Sequence, residues 1–250
     1  MRQVPPTTSS PRASVRYAVF GSGRMARHFR HYLDLLGLEH FSAPHRGSLP
    51  DLRGATHAVL LVADRGIAAL AARLPGDLRR IHFSGALVLD EIDSAHPLMT
   101  FGPELYDLET YARMSFAIAP GKKLEELLPG LPNPSFAIEA MDRALYHALA
   151  VAAGNFSAML WREVFARAER LGVPRAAWSP FLERTLANTL ADPSSITGPI
   201  SRGDTPTIRA HEQALARDPK LLALYQAFLR LAQVPASSPG GGSYVDSPRV

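Results

Sequence analysis

The chain has 250 residues, 46% hydrophobic and 20% charged, an ordinary globular composition with room for one large or two modest domains. It contains no cysteine, which excludes disulfides and thiolate chemistry and fits a reducing, cytoplasmic setting. No apolar run reaches the roughly 18–20 residues needed to span a bilayer, and the net charge of +4 is spread along the chain without the basic run or interleaved aromatics of a nucleic-acid surface.

Residues 1–14, MRQVPPTTSSPRAS, lack the apolar core of a signal peptide and read as a disordered leader. The first element is a strand over Val15–Phe20, rich in Tyr, Val and Phe. Gly21-Ser22-Gly23-Arg24-Met25-Ala26 follows at once, and Met25, Phe29, Tyr32, Leu33 and Leu36 then recur at helical spacing. A glycine turn between strand and helix also occurs for purely structural reasons. This one matches the G-x-G-x-x-G/A pattern of a dinucleotide site, in its required context. Gly21 permits the tight turn, Gly23 lets a pyrophosphate approach the backbone, and Ala26 packs the helix close to the sheet. The helix start offers free N–H groups and the positive end of its dipole to the phosphates.

Leu38–Ser42 is the candidate second strand. An acidic residue at its end would accept a hydrogen bond from a ribose 2′-hydroxyl and favour NAD. The stretch Ser42–Ser48 has none and offers His45, Arg46 and two serines, so a 2′-phosphate and NADP are expected; the alternative is a solvated loop arginine. Thr56–Ala63 reads as a buried parallel strand, with Asp64 capping a helix over Gly66–Leu74. Arg80–Phe83 is a further strand ending at Ser84-Gly85. Ala63, Asp64, Ser84 and Gly85 thus fall at the carboxyl edge of the sheet, where ligands bind. His96-Pro97 is extended; Met114–Ala119 and Pro134–Ile138 are strands, with a helix over Gly121–Leu128 between them.

From Ala140 the period becomes helical. A helix over Met141–Leu171, about 45 Å long if unbroken, ends at Gly172 and Pro174. Helices over Ala176–Leu190, Thr205–Ala216 and Lys220–Leu231 follow, the second with Thr205 as N-cap and Pro206 at its first position. The Ser-, Pro- and Gly-rich tail from Pro235 reads as disordered. The expected organisation is a leader (1–14), a Rossmann-type mostly parallel α/β domain (15–139), an all-helical domain (140–234) and a tail (235–250). The fold class is α/β.

Several segments together resemble one family: FGSGRMA, VADRGI, IHFSGAL, HPLMTF, YHALAVAAGNF and SITGPISRGDTPTIRAHEQAL. It is the bacterial Rossmann-like proteins carrying the C-terminal domain of unknown function 2520. That family is similar to pyrroline-5-carboxylate reductases, ketopantoate reductases and β-hydroxyacid dehydrogenases. The resemblance implies an NAD(P)-binding domain with a helical domain, paired as a homodimer through the C-terminal helices. β-Hydroxyacid dehydrogenases carry a catalytic lysine four residues before an asparagine on the interdomain helix. If Asn155 is that asparagine, the lysine position holds Val151.

Hydride transfer needs a positioned cofactor and a proton donor. His147 is the first candidate donor and His96 the second, with Asn155 two turns beyond His147 to bind a substrate carbonyl or the cofactor amide. Each has a structural alternative, in packing or turn hydrogen bonds, and His82 is expected to be packed. Arg202, with Thr197 in the same TGPISRGD loop, either clamps a substrate carboxylate or pairs with Asp204 and caps the next helix. No metal-ligand spacing and no G-x-S-x-G occurs. The expected function is an NADP-dependent oxidoreductase acting on a small, carboxylate-bearing carbonyl or imine in the cleft between the domains. The alternative is a non-catalytic NAD(P)-binding sensor or interaction protein; another cofactor on the same frame, such as a deazaflavin, is the remaining option.

Overall fold

The computed structural model describes residues 15–233. The expected leader and tail lie outside the described residues. Seven strands form one sheet: β1 (Arg16–Phe20), β2 (Glu39–Ala43), β3 (His57–Leu60), β4 (Arg79–His82), β5 (Asp93–Pro97), β6 (Phe116–Ile118) and β7 (Ser135–Ala137). Their order is β2-β1-β3-β4-β5-β6-β7. The first five run parallel, β6 is antiparallel to β5, and β7 is parallel to β6. The order reverses at β1, which is flanked by β2 and β3. That is the switch point where a doubly wound sheet opens a crevice at its carboxyl edge.

Beyond Arg16, β1 is aromatic and apolar and fully buried because both its faces are covered. Tyr17 and Val19 enter one core with Phe29, Tyr32 and Leu33 of α1 (Arg24–Leu35). Ala18 and Phe20 enter the other with Ile67 and Leu70 of α2 (Asp64–Ala71). Successive side chains of a strand point to opposite faces, so four residues serve two cores.

Several expected boundaries shift. α2 begins at Asp64 rather than Gly66. Its N-cap position is Ala63, with no side-chain cap, because the Asp64 carboxylate accepts from the Ser84 hydroxyl at 2.7 Å instead. The helix expected from Gly121 is a single turn, α4 (Leu124–Leu127), since Gly121 takes a left-handed φ of 74°. A short helix that periodicity does not reveal, α3 (Leu108–Ala112), is capped by Asp107, which accepts from the Thr110 N–H at 2.8 Å.

The long helical stretch is not uniform. A 3₁₀ turn (Ala140–Asp142) leads into α5 (Arg143–Ala150), then a π turn (Val151–Phe156), then α6 (Ser157–Ala168) and a 3₁₀ turn ending at Gly172, whose φ is 80°. The π turn V-A-A-G-N-F contains two alanines and a glycine, whose small side chains do not oppose its wider hydrogen-bonded ring. The described chain divides into two compact units, one ending at Ala158 and the other beginning at Met159. The division falls within this stretch, so α5 belongs with the sheet.

The second unit contains α7 (Trp178–Ala191), α8 (Thr205–Leu215) and α9 (Pro219–Gln233). Arg167 bonds Asp218 and Glu163, and Gln226 donates to Glu212 at 3.1 Å to join α9 to α8. Asp204, not Thr205, caps α8: its carboxylate accepts from the Thr207 N–H at 3.2 Å, and Pro206 is the second helical residue.

Candidate active site

At the carboxyl end of β1 the chain turns through Gly21, which has a φ of 136°. A Cβ there would lie against the backbone of Leu61, just beyond β3, at 2.9 Å from its carbonyl carbon and closer to the oxygen. Gly23 occupies the N-cap of α1 in extended conformation, and nothing lies within 4 Å of where its Cβ would stand. No side chain caps α1 and no acid stands in its first turn, so its first N–H groups face outward beside open space. Ser22 and Arg24 are exposed, Met25 is half-buried, and Ala26 is fully buried against the sheet. Arg30 donates to the Gly21 carbonyl at 3.0 Å, bracing the turn from the next helical turn.

The loop after β2 is held by Arg73, which donates to the carbonyls of His45 and Gly47. Arg46, between them, is exposed. The next acid along the chain, Asp51, pairs with Arg53 at 2.6 Å. The end of β2 therefore presents a cation and no carboxylate for a ribose diol.

A second group of residues gathers at the ends of β4 and β5. Ala63 and Asp64 are exposed at the start of α2, and the Ser84 hydroxyl both donates to Asp64 and accepts from the Leu87 N–H at 3.1 Å. Ser84 thus orders the turn after β4. Gly85 is buried beneath the His147 ring of α5: a Cβ there would meet His147 Cγ at 2.9 Å and His96 Cδ2 at 3.1 Å. The His96 and His147 rings are 5.6 Å apart and nearly perpendicular. His96 Nδ1 shares a 2.8 Å hydrogen bond with the Tyr146 hydroxyl. Burial, then the neighbouring His147 and Arg143, depresses the His96 pKa to about 4 against the opposing pull of Asp64, so the ring is neutral at pH 7. Burial also raises Tyr146, keeping its phenol protonated.

His82 is packed as expected, with no exposed surface. Its Nδ1 accepts from the Ser84 N–H at 3.2 Å, which leaves the ring proton on Nε2. Burial, then Arg143, depresses its pKa to about 4. Asn155 lies in the π turn, exposed and without a side-chain hydrogen bond among the described residues. In the second unit, Thr197 and Arg202 are exposed on the loop between α7 and α8. Asp204 is engaged as the cap of α8, and among the described residues Arg202 forms no ion pair with it.

The expected pair of histidines is therefore assembled, and two partners that the sequence did not suggest stand with it, Tyr146 and Arg143. Both sit on the same α5 face as His147. Gly85→Ala is expected to displace the His147 ring and shift its imidazole NMR signals, at a stability cost of about 1–3 kcal/mol for the overpacked methyl. Unchanged signals would mean that the ring does not rest on Gly85.

Residues 120–231 match the family described as "Domain of unknown function (DUF2520)". The DUF2520 match takes in Tyr146 and His147 of α5 and the loop bearing Arg202. No curated protein matches by sequence. Among solved structures, a Bacteroides fragilis protein provisionally assigned as an NADP oxidoreductase is 17% identical, with a TM-score of 0.73 over 88% of this chain and 98% of that one. A Thermotoga maritima protein is 20% identical, with a TM-score of 0.68 over 86% and 97%. The 1-pyrroline-5-carboxylate reductase of Streptococcus pyogenes is 14% identical, with a TM-score of 0.55 over 88% and 97%. At these identities the likeness is one of fold: a Rossmann-like, mostly parallel sheet followed by helices, as the sequence led us to expect.

Proposed function

We propose that this protein is an NADP-dependent oxidoreductase that reduces a small carbonyl or imine carrying a carboxylate. One observation carries the reading. A pair of histidines backed by a tyrosine stands at the same sheet edge as a glycine turn open to a pyrophosphate. The fold is also that of a reductase whose named substrate is a cyclic imine bearing a carboxylate.

The backbone at Ser22–Ala26 would hold the pyrophosphate and Arg46 the 2′-phosphate. A nicotinamide cofactor held there would supply the hydride for the substrate carbon. His147 gives its proton to the oxygen or nitrogen that gains charge and is reprotonated from solvent. His96, held by Tyr146, fixes the His147 ring against Gly85. Arg202 is the residue proposed for the substrate carboxylate, with Thr197 beside it and Asn155 binding the reacting carbonyl. A homodimer through the C-terminal helices is part of the proposal. Exposed Phe181 and Leu190 of α7, at 60% and 77%, supply apolar surface for a second copy.

Calorimetric titration with NADPH and NADH, then NADPH oxidation with a panel of keto and imino acids, tests the reading. Arg46→Ala is expected to weaken NADPH roughly ten- to a hundredfold and leave NADH unchanged, as loss of a charged hydrogen bond predicts. His147→Ala is expected to lower turnover by about 10²–10⁴ with NADPH affinity intact. Tight NADPH binding with no turnover of any panel member would favour a non-catalytic binding protein, a reading consistent with Val151 at the lysine position.

A further inference from the structure

Arg143 is 2% exposed, and no carboxylate pairs with it among the described residues. Its guanidinium donates only to neutral acceptors, the Ser94 hydroxyl on β5 and the Ala117 carbonyl on β6 at 3.4 Å. Burying an unpaired cation costs several kcal/mol, and an apolar side chain would anchor a helix to a sheet more cheaply. The surroundings indicate what the charge does.

Ser94 and His96 are two apart on β5 and share a sheet face. Arg143, Tyr146 and His147 stand at i, i+3 and i+4 on α5 and share a helix face. The helix face lies on the strand face at two matched points, Arg143 on Ser94 and Tyr146 on His96. His82 pairs in register with Ser94 and joins the same cluster.

We propose that Arg143 is the positioning residue of the histidine pair: a buried, fixed cation that locks α5 onto β5 and sets its charge beside His82 and His96. The proposal rests on the proposed reductase reading for its catalytic meaning, but its physical content stands in the free protein. The groups facing His96 are His147, Arg143 and Tyr146 from α5 and Asp64 from α2; those facing His82 are Arg143, Asp64 and Asp93. Arg143 opposes protonation of both rings, and the aspartates favour it.

The test is imidazole NMR titration of the full-length free protein as wild type, Arg143→Met and Arg143→Lys. In Arg143→Met the midpoints of His82 and His96 are expected to rise by about half a pH unit, roughly threefold in protonation constant. In Arg143→Lys, which keeps the charge, they stay at the wild-type values. A folded Arg143→Met with unmoved midpoints overturns the proposal. Should Arg143→Met not fold, Arg143→Gln takes its place: midpoints raised by about the same amount support the fixed charge, and midpoints unmoved from wild type overturn it. The titration needs neither cofactor nor substrate. Absent turnover in the wild type would therefore defeat the reductase reading and leave this result standing.

Discussion

Gly21→Ala is expected to lose about 3 kcal/mol or more, or to fail to fold, combining strain in a glycine-only region of backbone with a clash that cannot relax. The clash is with the Leu61 main chain, fixed by its own hydrogen bond to the Phe20 carbonyl at 2.7 Å. Gly23→Ala, two residues on, should behave oppositely. Its φ of −73° suits any residue and its Cβ would enter open space, so the fold loses only about 1 kcal/mol or less. That open space is where a pyrophosphate would rest, and calorimetry should show NADPH affinity falling at least about tenfold, the equivalent of 1.4 kcal/mol. Chemical denaturation of the two variants together with the titration checks both halves. Equal stability losses, or unchanged NADPH binding in Gly23→Ala, would contradict the assignment of one glycine to the fold and the other to the ligand.

Stability is expected to fall steeply as pH drops from about 6.5 to about 4, the interval between the ordinary histidine pKa and those of buried His82 and half-buried His96. In that window the unfolded chain binds protons that the folded chain refuses, so the unfolding free energy decreases with pH. Each of the two contributes about 3 kcal/mol, a large share of the roughly 5–15 kcal/mol of a typical domain. His57, depressed by burial and by Arg79, acts in the same direction. Glu163 and Asp218, lowered to about 2 by Arg167, exert their effect only below the ordinary carboxylate range. Urea midpoints measured across pH 7 to 4.5 therefore isolate the histidines, and a flat profile there would show that the folded chain does not hold His82 and His96 neutral.

Much of the first unit was legible because it is local. Alternation and apolar runs located six of the seven strands to within a few residues, β5 being read only as an extended His96-Pro97 pair, and the Gly21–Ala26 turn was readable from its neighbours alone. The purpose of Gly85 was not, since it depends on a ring more than sixty positions away. α3 escaped notice because five residues carry too little periodicity. Asp64 looked like a helix cap because caps are acidic and local, but Ser84 of the next βα turn offered its carboxylate a partner. The long helix read as regular because apolar spacing does not register one turn of wider hydrogen bonding.

The sequence by itself determined the α/β class, the strand–glycine–helix turn and the lack of an acid after β2. These follow from backbone sterics and side-chain type over a few residues. Only the tertiary structure decided that Arg143 is buried without a carboxylate, that Tyr146 holds His96, and that Gly85 makes room for His147. Desolvation and contact depend on which face of α5 meets the sheet, and residues distant in the chain set that meeting.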